Sequence, residues 1–439
     1  MSTIAARSGH LVAGPPAIAG LFADLNPPSS TNGVRFLSEQ GRVVVTWDNV
    51  PLAGSRLSGG QTFQIRIYPS GKIQMTYTTV GDSFESGSVG IVPGDLRPVT
   101  LVDLTLATGP YTTGIAEAFT SLTQPEVDML AAAQRFYQTH DDAYDYLVFY
   151  NALGVPASQG VVAYELTARS QGTGFGDPPI DYGTDYGSRR ELKAVLNLGP
   201  TTQYPADPFG IVSSRGTIGD TPVSILSHES GHLWLALTSV PSPTNAFYPP
   251  MLGTGLAHWA FPFNSDASYL EGNRIEDLGA TANPRFRTVA TVEHYSALDQ
   301  YLMGLRAAQD VPPTFAVLDS GQANPRAPQK GVSFNGTRLD IPVVDVIQAS
   351  GRRTPDATVS QRTFRMAFVM IVPEDADLSA GSSSSNAIAQ VDAYRKAFET
   401  TFVTATDGRA KMITSLHKGI SFSMTPNAGV TLGADGLRR

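Results

Sequence analysis

The sequence predicts an α+β protein: an N-terminal antiparallel β-sandwich over residues 15–112, followed by a mixed α/β domain over residues 113–439. Three observations predict it. Short runs of period-2 alternation, separated by Gly/Pro turns, crowd residues 20–105 and then stop. Beyond residue 120, apolar residues recur at helical spacing between continuous apolar runs of strand length. A chain of 439 residues also exceeds the ~100–200 residues of one typical domain.

The elements follow in order. Arg42 to Trp47 (RVVVTW) is a β-branched run. Phe63, Ile65 and Ile67 alternate with polar residues in TFQIRIY, Pro69-Ser70-Gly71 makes a turn, and Lys72 to Tyr77 alternates again. Ser88 to Val92 is another short strand. Thr123 and Pro125 read as the cap and first-turn proline of a helix carrying Val127, Leu130, Ala131 and Phe136. Tyr146 to Tyr150 (YLVFY) reads as a buried strand, residues 170–189 as a long Gly/Asp/Pro loop, and Leu192 to Leu198 as a strand. Thr221-Pro222 opens a helix over Val223, Ile225 and Leu226. Arg365 to Val372 reads as a central strand and Gly381 to Ser385 as a low-complexity loop. Ile388, Val391, Phe398 and Phe402 then mark one face of a helix.

Composition narrows the function. With 31 basic and 39 acidic residues the formal charge is −8, which argues against a general nucleic-acid binder. At 41% hydrophobic and 16% charged, the chain is too apolar to be disordered. No cysteine is present, which removes disulfides, thiolate zinc ligands, Fe–S clusters and Cys nucleophiles. Only seven histidines remain to serve a metal site. No run approaches the ~18 apolar residues of a membrane span. The first twenty residues carry a single Arg, and Pro-Pro where a signal peptide is apolar; we read no signal peptide, hence a cytosolic chain or a mature or recombinant form.

One motif carries chemistry. His228-Glu229-Ser230-Gly231-His232 matches H-E-x-x-H. On a helix, positions i and i+4 share a face, so both imidazoles can reach one metal ion. Glu229 sits about 100° round the helix from His228, beside the ion, where it can take a proton from a metal-bound water as general base. The ion lowers that water's pKa towards ~7 and polarises the scissile carbonyl. The plainer reading is a helix surface that happens to carry His, Glu and His. Context opposes it: the flanks SIL and LWLAL are apolar, and bare histidines in a buried helix need a partner. Gly231 in mid-helix costs ~1 kcal/mol relative to Ala, which implies a close approach to the backbone there.

A catalytic zinc keeps three protein ligands and one open position. Leu235 and Thr238 occupy the places of a helical H-x-x-G-x-x-H extension, and His10, His140 and His417 lie in distant segments. His258 is the choice for third ligand: it follows His232 by 26 residues, in a Gly-rich stretch (GTGLAHW) able to fold back over the helix. Asp299, His294, Glu271 and Glu293 stay open as alternatives. Asp299 also suits a capping box beginning at Ser296.

The segments HESGHLWLAL, AHWAFPFNSDASYLEGN and YSALDQYLMGL, in that order, resemble bacterial zinc metallopeptidases of the metzincin and immune-inhibitor-A type. The resemblance spans residues 125–420, but only the zinc helix is specific. It implies that His228 and His232 bind Zn2+, that Glu229 is catalytic, and that His258 takes the third-ligand place after an insertion. It implies further that Ser268 to Asn273 (SYLEGN) form the turn beneath the zinc and that Asp299 is structural. The spacing to His258 is longer than in metzincins, and Leu270 stands where their turn carries Met. Residues 20–95 (FADLNP, VVVTWDNVP, TFQIRIYPSGKIQMTY, GSVGI) resemble a nidogen-like β domain found beside extracellular modules and secreted bacterial proteases. Together these imply a secreted bacterial protein whose signal peptide is not in this chain.

Other features have plainer readings beside functional ones. Asp141, Asp142 and Asp145, with Asp177, Asp181 and Asp185, can be read as Ca2+ ligands or as solvated acidic loops. Asn335-Gly336-Thr337 is a glycosylation sequon or simply an Asn-Gly turn. His294 and Tyr295 can polarise a carbonyl or pack a helix start; Trp234 and Trp259 can line a cleft or fill the core. The expected function is a zinc-dependent endopeptidase acting on a protein or peptide substrate. The alternative is a non-catalytic surface- or polymer-binding protein with a structural or lapsed zinc site; hydrolysis of a non-peptide amide or ester is a weaker third.

Overall fold

The computed structural model describes residues 11, 15–23, 25–27, 33–52, 60–80, 86–94, 97–104, 106–120, 127–158, 160–170, 179–234, 238–242 and 248–416. It is a mixed α and β structure, rich in antiparallel sheets, whose chain divides into two compact units. The first is residues 1–136 with two short later segments, 158–160 and 182–189; the second is the remainder.

The first unit carries β1 (Ala17–Phe22), β2 (Gly33–Glu39), β3 (Arg42–Val50), β4 (Gln61–Ile67), β5 (Ile73–Thr79), β6 (Ser86–Val92), β7 (Val99–Leu101) and β8 (Gly114–Thr120). β2 to β5 form an antiparallel meander, and β1, β6, β8 and β7 form a second four-stranded sheet. β8 pairs with β6 and β7, so this sheet takes in residues beyond 112. Alternation does its expected work in β4: Phe63 and Ile65 are buried, while Thr62, Gln64 and Arg66 beside them are partly exposed. Trp47, Phe63 and Tyr77 stack across β3, β4 and β5 with ring centroids 4.5 and 6.1 Å apart. The two sheets meet at Gly20, where a Cβ would stand 3.0 Å from Phe63 and Ile65; the missing side chain lets β1 lie this close. The expected turn joins β4 to β5, with Gly71 at φ 81° and its N–H bonded to the Tyr68 carbonyl at 2.9 Å.

Helix α1 (Met129–Tyr137) begins later than the sequence suggests. Asp128 Oδ1 accepts from the Ala131 N–H at 3.0 Å and so caps it. Thr123 and Pro125 lie outside the described residues. Ala131 is exposed, and Ala133 takes the inward place between Leu130 and Phe136.

The second unit carries β9 (Tyr146–Asn151), β10 (Tyr164–Thr167), β11 (Arg169–Ser170), β12 (Ile180–Asp181), β13 (Ala194–Pro200), β14 (Asn273–Asp277), β15 (Phe286–Thr291), β16 (Thr314–Leu318), β17 (Ser333–Phe334), β18 (Thr337–Ile341), β19 (Thr363–Ile371) and β20 (Lys411–Ile413). Its helices are α2 (Pro222–Gly231), α3 (Ala297–Leu302), α4 (Val343–Ser350) and α5 (Ser383–Ala405). The main sheet has the order β10–β13–β9–β19–β20; only β10, at one edge, runs antiparallel to its neighbour. β9 and β13 are buried at every position, as a covered parallel sheet requires. Alternate residues Tyr146, Val148, Ala194 and Leu196 share a core with Val223 and Leu226 of α2 and Phe398 and Phe402 of α5. Two smaller sheets, β14–β15–β17 and β16–β18, enclose Phe261, Phe286, Phe315 and Phe334.

Three local expectations are corrected here. Residues 170–189 are not all loop, since β11 pairs with β12. Gly381 to Ser385 is not all loop either: Ser382 Oγ accepts from the Ser385 N–H at 3.2 Å, which turns a serine run into a helix start. Ile388 is exposed, and Ala387 takes its place in the buried row with Val391, Tyr394 and Phe398. Among the described residues, no helix is long and apolar enough to cross a membrane.

Candidate metal centre

The centre is built on α2. Thr221 caps the helix reciprocally with Ser224: Thr221 Oγ1 accepts from the Ser224 N–H at 3.1 Å, and Ser224 Oγ accepts from the Thr221 N–H at 2.8 Å. Pro222 occupies the first turn, where its missing N–H costs nothing. Every residue of the helix is buried. The Tyr146 and Tyr295 hydroxyls donate to the Ser230 and Ser227 carbonyls at 3.1 and 2.6 Å, tying its last turns to the surrounding core. The helix ends at Gly231, so this glycine is not mid-helix. The close approach inferred from it is nevertheless present: a Cβ would lie 3.2 Å from both Leu270 and Tyr295. His232 keeps helical dihedrals as the cap residue, so His228 and His232 still share a face.

His258 joins them. Its Nε2 lies 3.2 Å from His228 Nε2, and His232 Nε2 lies 3.0 Å from the same atom. His228 Nδ1 donates to the Tyr269 carbonyl at 2.8 Å and His258 Nδ1 to the Thr254 carbonyl at 2.8 Å. With the proton fixed on Nδ1, each Nε2 presents a lone pair. Lone pairs converging at this distance repel one another unless a cation lies between them. Nitrogens ~2.0–2.1 Å from a tetrahedral ion sit about 3.3 Å apart, close to the observed spacings. Burial, reinforced by the neighbouring imidazoles, lowers the pKa of His228 and His232 well below the usual range, so both stay neutral as ligands must. Among the described residues, this trio is the one group of three or more His, Asp or Glu side chains placed to hold a metal ion.

Glu229 points beside the trio, its Oε1 4.0 Å from His228 Nε2. Burial raises its carboxyl well above the usual range, and the Glu165 charge raises it further. Glu165, on β10, is pushed up to about 8 by its own burial.

The other candidates are engaged elsewhere. Asp299 forms the capping box of α3: Oδ2 accepts from the Ser296 N–H at 2.6 Å, and Oδ1 accepts from Trp259 Nε1 at 2.9 Å. Glu271 pairs with Arg215 at 2.5 Å, and Glu293 with Arg274 at 2.8 Å. His294 Nε2 donates to the Asp266 carbonyl at 2.7 Å. Tyr295 is buried with its hydroxyl on α2, so it is not available to polarise a substrate. Trp259 is core, and Trp234 packs edge-on against Phe364. His140 is exposed; His10 and His417 lie outside the described residues. For Ca2+, Asp142 accepts from the Arg190 N–H, Asp145 pairs with Lys193, and Asp181 pairs with Arg169. Asp141 and Asp185 also have partners, and Asp177 is outside the described residues. Asn335 is an exposed residue between β17 and β18 whose Oδ1 accepts from the Arg285 N–H.

Sequence reasoning missed what holds the centre in place. The Tyr269 carbonyl, Tyr146 and Arg215, which bridges Asp220 to Glu271, carry no local signal. Glu165 had one faint signal, an acid in a short strand (YELT). Compared with known protein families, curated proteins and solved structures, the chain matches none.

Proposed function

We propose that the second unit is a zinc-dependent endopeptidase. One observation carries this reading: three bare imidazole nitrogens converge beside a buried carboxyl that ligates nothing itself. A zinc ion held by His228, His232 and His258 would act as a Lewis acid and make a water acidic near neutral pH. Glu229, its Oε1 4.0 Å from His228 Nε2, would be the base that takes a proton from the attacking water and later hands it to the leaving amine. The carbonyls of Tyr269 and Thr254 hold His228 and His258 in the tautomer that keeps Nε2 bare. The binding-protein alternative, with a structural or lapsed site, would be favoured by a fourth protein ligand. Asp299 is the instance the sequence offers, and both its oxygens already accept hydrogen bonds. On this reading the protein works outside the cell, and the first unit serves to bring it to a surface or polymer, as the nidogen-like resemblance implies.

The test is Glu229→Ala in the zinc-loaded protein, assayed on a broad mixture of quenched fluorescent peptides. The variant should keep its zinc and lose ~100-fold or more of the hydrolysis rate. Full residual activity with zinc bound would sink the assignment.

A further inference from the structure

Glu165 stands on β10, the edge strand of the main sheet. The register sets it opposite Leu196, and residues paired across an antiparallel ladder share a face. Leu196 lies in the core that α2 covers, so Glu165 faces the α2 side. There β10 packs against α2, the helix that carries Glu229. Two other acids, Asp220 and Glu271, are both paired with the one guanidinium of Arg215. Glu165 is not: the Thr167 hydroxyl donates to its Oε1 at 2.8 Å, and no basic side chain lies within ion-pair distance among the described residues. Its carboxyl is pushed up to about 8, as burial without a countercharge requires. A half-buried carboxylate lacking a cation is unfavourable for the protein alone and favourable for a ligand that brings one.

We propose that Glu165 is a cation subsite beside the metal centre, recognising an ammonium or guanidinium group of the peptide substrate. The inference rests on the endopeptidase reading and names its substrate class. Strand β10 meets β13 on one side and no other strand among the described residues on the other, which leaves its outer edge to an extended chain. A basic side chain, or a free N-terminus, on that chain would meet Glu165 as a charge-assisted hydrogen-bond partner.

The test is binding, measured without turnover. Fluorescence anisotropy follows labelled peptides on the zinc-loaded Glu229→Ala protein. The peptides differ at one position (Lys, Arg or norleucine) and are made with free and acetylated N-termini. A charged member should bind about tenfold or more tighter than its neutral counterpart. Glu165→Gln should erase that difference, and Glu165→Asp should retain part of it, with zinc content and melting temperature reported for each variant. If acetylation removes the preference, the α-ammonium is the group recognised; if it does not, the side chain is. Equal binding of charged and neutral peptides, no binding by any of them, or a preference that survives Glu165→Gln overturns the proposal. The endopeptidase reading fails separately, on absence of cleavage by the wild-type zinc-loaded protein.

Discussion

At the residue scale, His228 and His232 were readable because helix geometry alone puts residues four apart on one face. His258 is one choice among several residues in the sequence, since no rule of spacing says where a Gly-rich loop returns; the fold brings its Nε2 to 3.2 Å from His228, in a group that could hold a metal ion. Removing one of three imidazoles should be felt strongly. His258→Ala is expected to weaken zinc binding by more than the ~10–100-fold typical of lost outer partners, as read by competition with a chromogenic chelator. Affinity equal to wild type would make His258 a bystander. Gly231 offers a second test. Its missing side chain accommodates Leu270 and Tyr295, so Gly231→Ala must push one of them by a few tenths of an ångström. The expected cost is about 1–3 kcal/mol in urea denaturation, a cost that an open helix end would not show.

At the element scale, strands were more legible than helix starts. YLVFY declared a covered strand because both its faces are apolar, and β4 declared a half-covered one because its faces differ. Helix starts depend on single hydrogen bonds, and a run such as Gly381 to Ser385 offers several serines that could make them; Ser382 does. At α2 the capping box predicts that Thr221→Ala destabilises the protein by about 1 kcal/mol, read from denaturant midpoints. The turn before α3 supplies a pH test. Hydrogen bonding to Asp266 raises the pKa of His294 in the folded state. Its stabilising contribution is therefore complete below the ordinary histidine value and is lost as pH rises through the raised one. Melting temperature should fall more steeply across that window in the wild type than in His294→Gln; identical slopes would contradict the pairing.

At the scale of the whole molecule, the change from alternating to continuous apolar runs marked where an all-strand region gives way to a mixed one, because each pattern reports how many faces of a sheet are covered. Sequence left the arrangement of the two smaller sheets unreadable, since β15 pairs with β17 and β16 with β18, each across an intervening strand. Metal binding should couple to the stability of the second unit. A ligand that binds only the folded form stabilises it in proportion to the logarithm of its concentration over Kd, about 4 kcal/mol at a thousandfold excess. Chelation should therefore lower the melting transition of the second unit, and re-addition of zinc should restore it. The central claim, a three-imidazole metal centre with an open position, is tested most directly by X-ray absorption at the zinc edge of the purified protein. The account predicts one zinc per chain with three imidazole nitrogens at ~2.0–2.1 Å and one oxygen from water, falling to two imidazoles in His258→Ala. Failure to retain zinc, or four protein ligands around it, would contradict it.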